Sequence, residues 1–204
     1  MFKERKKIEN VTLIGSWEDV TNIKASDLVK GANDEILDGI IVKGYEMKFG
    51  QKNENLEIYE KNCFDDFINA YFVENKLNMV VDRQHYSRDI CGRVLYAESN
   101  SVGFYIVAYI PRRLPIFEQI KIELQEGMLQ GFSKCGWATD YEYKYTEDGD
   151  FDYMLIKKMD VTSMSLVSTP ANGISFDRMQ EIQNALKYKN TIKTENKLKK
   201  MFNN

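Results

Sequence analysis

The chain has 204 residues, of which 43% are hydrophobic and 29% charged, and its formal net charge is −3. This composition is that of a folded globular protein and excludes an intrinsically disordered chain. The slight acidic excess argues against a nucleic-acid binder, because such domains usually carry a basic surplus.

The cysteine content and the hydropathy of the chain narrow the class of protein further. The three cysteines are odd in number and widely spaced, which predicts reduced thiols rather than a disulfide framework. With one histidine and no CxxC pair, a zinc site is not expected, and we expect no metal or cofactor. No apolar run reaches the length of a membrane span, so we predict a soluble intracellular protein that does not bind membranes.

The first third of the chain predicts a weakly structured start followed by a hairpin. Residues 11–14 match a short strand, and residues 27–30 match a helical turn. Residues 36–49 predict a strand, with residues 56–59 as its hairpin partner. Residues 64–71 place apolar side chains at helical spacing, which predicts a short amphipathic helix.

The middle of the chain predicts strands around one apolar centre. Residues 78–81 predict a buried strand that runs towards His85, and a polar loop is expected over residues 86–90. Residues 102–110 form the most apolar segment, which predicts a central strand. A helix is expected over residues 116–126, with a glycine as its C-terminal cap.

The last third predicts a hairpin, a further strand and a terminal helix. Residues 137–145 and 151–158 flank an Asp-Gly pair, which is typical of a hairpin turn. Residues 161–167 predict another strand, and a helix is expected from Phe176. The fold class is therefore α+β: a β-rich, mostly antiparallel, barrel-like sheet with a few peripheral helices.

One serine and the single histidine are candidates for nucleophilic chemistry. Ser133 follows Gly131 by two residues and comes just before a predicted strand. A serine becomes a nucleophile only when a base takes its proton, and histidine is the usual base near neutral pH. Any serine–histidine pair in this chain must use His85. Composition alone favours structural roles for both residues, because most serines and histidines are not catalytic.

Four segments in chain order carry a family resemblance that reverses this preference. They are residues 44–49 with 63–67; residues 80–94, containing His85 and Gly92-Arg93-Val94; residues 127–136, containing Gly131-Phe132-Ser133; and Met164-Ser165-Leu166-Val167 with Pro170-Ala171-Asn172. In these segments the chain resembles the prohead (capsid-maturation) serine proteases of tailed bacteriophages, which are related in fold to the herpesvirus assemblins.

The resemblance implies catalytic roles for particular residues. It makes Ser133 the nucleophile and His85 the general base that later protonates the leaving amine. Many relatives carry a glutamate two residues before the Ser-Leu-Val sequence, and this chain has Ser163 there. A hydroxyl stabilises an imidazolium less well than a carboxylate does. Ser163 is nevertheless the candidate third member of the triad.

Acidic residues offer other candidates for the third role. Asp160 is the reserve for Ser163, although strand alternation should turn it towards the opposite face. Asp82 and Asp89 flank His85 in sequence and are also able to orient it. Cys135 offers a second nucleophile for the same histidine, but a small buried thiol at a strand start is the commoner explanation.

The resemblance also implies a domain division and a biological role. Residues 1–35 are expected to form an N-terminal arm, residues 36–178 the prohead-protease-like domain, and residues 179–204 a C-terminal helix and lysine-rich tail. The implied function is a phage or prophage capsid-maturation endopeptidase, located within the procapsid in the bacterial cytoplasm. It would cleave the scaffold protein, the major capsid protein and often itself. Because assemblin relatives dimerise, a homo-oligomer is a further expectation.

Two other functions remain open at this level. A catalytically weak or inactive member would act as a head-assembly or scaffolding protein, and Ser163 in place of an acid motivates this alternative. A general hydrolase of small esters is the third hypothesis. It differs from the first two because it needs no capsid partners.

Overall fold

The computed structural model describes residues 16–28, 32–74 and 79–170. The features expected at residues 11–14, the helix from Phe176 and the lysine-rich tail lie outside these residues. The described elements are β1 (Ser16–Lys24), α1 (Ala25–Leu28), β2 (Ile36–Lys48), β3 (Glu57–Tyr59), α2 (Asp65–Ile68), a π-helical segment (Asn69–Glu74), β4 (Val80–Arg83), β5 (Tyr86–Ser99), β6 (Gly103–Pro111), α3 (Phe117–Gln125), β7 (Gly131–Tyr145) and β8 (Phe151–Val167).

The strands form one eight-stranded sheet in the order β1-β2-β6-β5-β4-β8-β3, with β7 paired to β8. The prediction of a β-rich protein with few helices is confirmed. The prediction of a barrel-like sheet is wrong, because the sheet of the described residues is open and mixed. Two pairings are parallel, β3 with β8 and β4 with β8. The 17-residue β8 is long enough to hold both of these strands along one edge while β7 occupies its other edge.

The predicted hairpin between residues 36–49 and 56–59 does not form. β2 pairs with β1 on one edge and with β6 on the other, so neither edge is left for β3. The segment at residues 57–59 instead runs parallel to residues 154–156 of β8. The apolar segment β6 is indeed internal, between β2 and β5.

The two faces of the sheet have separate hydrophobic cores, and helices pack on both. On one face, Phe64 stacks on Phe104 at 4.2 Å, and α3 contributes Phe117, Ile120 and Leu124. On the other face, α1 packs on the sheet through Ala25, and strands β1, β2 and β6 contribute Val20, Leu37, Ile41, Val107 and Tyr109 to this second core. Residues 16–24 of the predicted arm thus form an edge strand of the sheet. Among the described helices, none has the length and apolarity needed to cross a bilayer.

Gly92 permits the close approach of β5 and β6. A Cβ at this position would lie 2.4 Å from the Tyr109 carbonyl oxygen, which belongs to the neighbouring backbone. The residue also adjoins an irregularity in the pairing of β4 with β5. A side chain here must therefore push two strands apart.

We expect Gly92→Ala to lower the free energy of unfolding by about 1–3 kcal/mol, the usual cost of overpacking a fitted interior. Denaturant-induced unfolding measures this loss. Ser87→Ala, on the exposed part of the same strand, is the matched control and should change stability by less than about 0.5 kcal/mol. Equal stability of the two variants would contradict the close approach.

Candidate active site

Three polar side chains lie in one row across the strands β4, β8 and β7. In strand register, Asp82 of β4 is opposite Ser165 of β8, and Ser165 is opposite Ser133 of β7. Residues directly opposite each other on neighbouring strands project from the same face of a sheet. Strand pairing therefore brings an aspartate and two serines together from positions far apart in the sequence.

His85 reaches this row from a tight turn between β4 and β5. Gln84 and His85 form a two-residue connection and have φ angles of 53° and 58°, as in a type I′ hairpin turn. The Gln84 amide donates a 2.9 Å hydrogen bond to the Leu166 carbonyl, which ties the turn to β8. The predicted polar loop over residues 86–90 is wrong, because β5 begins at Tyr86.

The imidazole of His85 contacts three side chains. Its Nε2 lies 2.9 Å from Ser133 Oγ, which is hydrogen-bonding distance between a base and a candidate nucleophile. Its Nδ1 lies 3.0 Å from Ser165 Oγ and 3.1 Å from Cys135 Sγ. The two sequence-predicted residues Ser133 and His85 are thus adjacent. The histidine is exposed and Ser133 is half-buried, so solvent and ligands have access to the pair.

Behind the histidine lies a buried carboxylate that the sequence motif does not mark. Ser165 Oγ donates a 2.6 Å hydrogen bond to Asp82 Oδ1. Asp82 has a relative exposure of 2% and Ser165 of 0%. From the sequence, Asp82 is a candidate for orienting His85, whereas no catalytic role is predicted for Ser165. The signal available was the serine of the Ser-Leu-Val sequence itself.

The other candidates for the third role lie elsewhere. Ser163 is opposite Cys135 on the neighbouring strand, and among the described residues no hydrogen bond joins it to His85. Asp160 is opposite Trp137 and lines a separate cavity with Phe67 and Tyr71. Asp89 accepts a 2.8 Å hydrogen bond from Arg83 Nε, so its carboxylate is bound to a guanidinium.

The three cysteines are free and differ in their surroundings. Cys63 and Cys91 are buried, and burial raises the pKa of each thiol to about 12. Both therefore remain protonated thiols near neutral pH and are poor nucleophiles. Cys135 is half-buried and contacts Nδ1 of the histidine, whereas Ser133 contacts Nε2.

The strand that carries Ser133 has a buried ion pair on its reverse side. Lys134 Nζ lies 3.2 Å from Glu46 Oε2, and the two side chains have exposures of only 6% and 2%. The same ammonium lies 4.2 Å from the centre of the Tyr59 ring. Successive side chains on a strand point to opposite faces. This pair therefore anchors β7 from within the core while Ser133 faces the site.

The arrangement can support acyl transfer through a serine and a histidine. Within the described ranges, no group of three or more histidine, cysteine, aspartate or glutamate side chains is arranged to hold a metal ion. The groups that can take part in this chemistry are Ser133 and His85, with Ser165 and Asp82 behind them.

Comparisons with known proteins found a matching family model and a solved structure of similar fold. A family model described as the caudovirus prohead serine protease matches residues 26–188. Among solved structures, the capsid assembly protease gp21 of bacteriophage T4 is similar in fold, with a TM-score of 0.53 and 13% sequence identity. The match covers 76% of this chain and 99% of the phage T4 chain. The comparison with curated proteins found no match.

Proposed function

Because the chain belongs to the caudovirus prohead serine protease family, we propose that it is a capsid-maturation endopeptidase with Ser133 as nucleophile and His85 as general base. The observation that carries this proposal is the 2.9 Å contact between His85 Nε2 and Ser133 Oγ. The similar fold of the phage T4 capsid assembly protease supports it.

The proposed reaction passes through an acyl-enzyme. Ser133 Oγ bonds to the carbonyl carbon of the scissile peptide while its proton moves to His85 Nε2. The carbon–nitrogen bond then breaks, and the same proton passes to the leaving amine. Water enters, gives a proton to His85 and attacks the ester. The acid is released, and the proton returns to Ser133 Oγ.

The third member of the site is Ser165 in this proposal rather than Ser163. Ser165 Oγ lies 3.0 Å from Nδ1, the ring atom that a third member must contact. The reserve candidate Asp160 is replaced for the same reason. Cys135 is an additional neighbour of Nδ1 and takes no part in acyl transfer, because the base faces Ser133 with its other nitrogen.

The proposed substrates are the scaffold protein and the major capsid protein of the same phage, with the protease acting inside the procapsid. A prohead protease family implies this location. Cleavage of the protease itself and formation of a homo-oligomer belong to the same proposal, as does the division into residues 1–35, 36–178 and 179–204.

Covalent labelling tests the identity of the nucleophile. We expect a fluorophosphonate probe to add one label to the wild-type protein, and peptide mapping should place it on Ser133 because its oxygen contacts the base. Cys135→Ala is the matched variant, and its labelling rate should stay within about tenfold of the wild type. A label on another residue, or the absence of any label, would contradict the assignment of Ser133.

Intact masses test the substrates and separate the protease from the assembly alternative. We expect co-expression with the phage scaffold and major capsid proteins to give shortened chains with the wild type. Ser133→Ala should leave every chain at full length. Full-length masses in all samples with normal shell assembly would favour a head-assembly protein. Turnover of activated esters without processing of capsid proteins would favour a small-ester hydrolase.

A further inference from the structure

We infer that Asp82, acting through Ser165, is the carboxylate that positions His85 and selects its tautomer. This inference rests on the proposed function of Ser133 and His85. It adds a fourth residue to the site and assigns the acidic role to β4, whereas the family resemblance points to a residue of β8. Asp82 makes no contact with the reacting atoms in this scheme, so it is a positioning residue.

The direction of the hydrogen bonds follows from the chemistry of the three groups. An ionised carboxylate only accepts hydrogen bonds, and a serine hydroxyl has one proton to donate. Ser165 Oγ lies 2.6 Å from Asp82 Oδ1, so its proton points to the carboxylate. The hydroxyl oxygen then offers only lone pairs to His85 Nδ1, which lies 3.0 Å away. Cys135 Sγ, 3.1 Å from the same nitrogen, is only a weak donor and also a weak acceptor, so Ser165 decides the direction and Nδ1 carries the proton.

This direction prepares the other ring nitrogen for catalysis. A neutral imidazole has one N–H, so a proton on Nδ1 leaves a lone pair on Nε2. That lone pair faces Ser133 Oγ at 2.9 Å and is able to take the hydroxyl proton. The opposite tautomer would present an N–H to Ser133 and could not act as a base. Asp82 thus sets the tautomer from the far end of the row.

The spacing of the strands explains why a hydroxyl must bridge the two groups. Asp82 and Ser133 are separated by β8, and neighbouring strands lie about 4.8 Å apart. The Asp82 carboxylate therefore lies one strand farther from Ser133 than the Ser165 hydroxyl does. Ser165 lies between them: its hydroxyl donates a hydrogen bond to Asp82 and accepts one from the imidazole of His85.

Burial strengthens this effect. Asp82 and Ser165 are almost completely excluded from solvent, and charge interactions are stronger in such surroundings than in water. Arg83, the next residue of β4, is paired with Asp89 at 2.7 Å and with Glu123 at 2.9 Å, so its charge is already bound by those two carboxylates. When His85 takes the proton of Ser133, the negative charge of Asp82 stabilises the imidazolium that forms.

Nitrogen NMR of the single histidine tests the tautomer directly. The chain contains one histidine, so protein labelled with ¹⁵N-histidine gives one pair of ring resonances. We expect the neutral ring of the wild type to carry its proton on Nδ1. Free imidazole side chains in water favour Nε2–H, so this result is not the default. In Ser165→Ala, the resonances should shift towards the Nε2–H form, because Asp82 is then cut off from the ring.

Labelling rates supply the second measurement. We expect Asp82→Asn and Ser165→Ala each to slow fluorophosphonate labelling of Ser133 by roughly 100-fold or more, as loss of a triad carboxylate does in serine proteases. The double variant should be no slower than the singles, because the two residues act as one unit. Ser163→Ala is the matched rival on the same strand, and we expect it to slow labelling by less than about threefold.

The outcomes separate this inference from the proposed function. An Nε2–H wild type, or unchanged tautomer and rate in Ser165→Ala, would overturn the role of Asp82 while Ser133 remains the nucleophile. A large loss in Ser163→Ala alone would return the third role to that residue. Wild-type protein that takes no label on Ser133 would overturn the proposed function. The NMR result would still show whether Asp82 and Ser165 set the tautomer of His85. Thermal unfolding verifies that each variant is folded.

Discussion

Ser133→Ala should lower the rate of capsid or scaffold cleavage by at least about 10⁴-fold, because the acyl-enzyme cannot form without the hydroxyl. His85→Ala should cause a loss of similar size, since the hydroxyl is a weak nucleophile without a base at 2.9 Å. The measurement is a time course of substrate cleavage by each purified variant. Residual activity is then whatever substrate binding alone provides.

The double variant makes this prediction sharper. Residues that act as a unit lose their effect together, so Ser133→Ala with His85→Ala should be no slower than either single variant. Independent roles would instead multiply the two losses. Cleavage that survives Ser133→Ala but fails in His85→Ala would point to another nucleophile beside the histidine. Cys135, at 3.1 Å from Nδ1, would then be the first residue to replace.

Glu46→Ala is expected to destabilise the fold by about 3–5 kcal/mol, because it leaves the Lys134 ammonium buried without its carboxylate. This loss is a large part of the 5–15 kcal/mol that typically holds a domain together. Denaturant unfolding monitored by circular dichroism measures it. Breaking the pair also removes the ion pair that holds Lys134 of β7, the residue next to Ser133. The fluorophosphonate labelling rate of Ser133 should therefore fall in the same variant.

Two controls distinguish a buried charge from an ordinary ion pair. Glu18→Ala breaks the exposed pair between Glu18 and Lys43 and should cost less than about 1 kcal/mol. Combining Glu46→Leu with Lys134→Met removes both buried charges and should restore most of the stability lost in the single variant. If the double variant is as unstable as Glu46→Ala, packing rather than charge determines the loss.

Local patterns in the sequence were sufficient for most individual elements. The apolar segment at residues 102–110 predicted β6, and the helix at residues 116–126 was confirmed as α3 (Phe117–Gln125). These predictions hold because hydrophobic periodicity is a property of neighbouring residues. The pairing of β3 was wrong because it depends on which edges of β2 are already occupied, and distant segments decide that.

The same difference between local sequence patterns and long-range strand pairing applies to the site. The sequence by itself, through its motifs, determined the family and the candidate pair Ser133 and His85, because one histidine leaves no other choice of base. Only the tertiary structure could place Ser165 and Asp82 behind His85, because their contact depends on the parallel register of β4 with β8, 83 positions apart in the chain. Counting back from a motif finds Ser163, whereas strand register across the sheet finds Ser165.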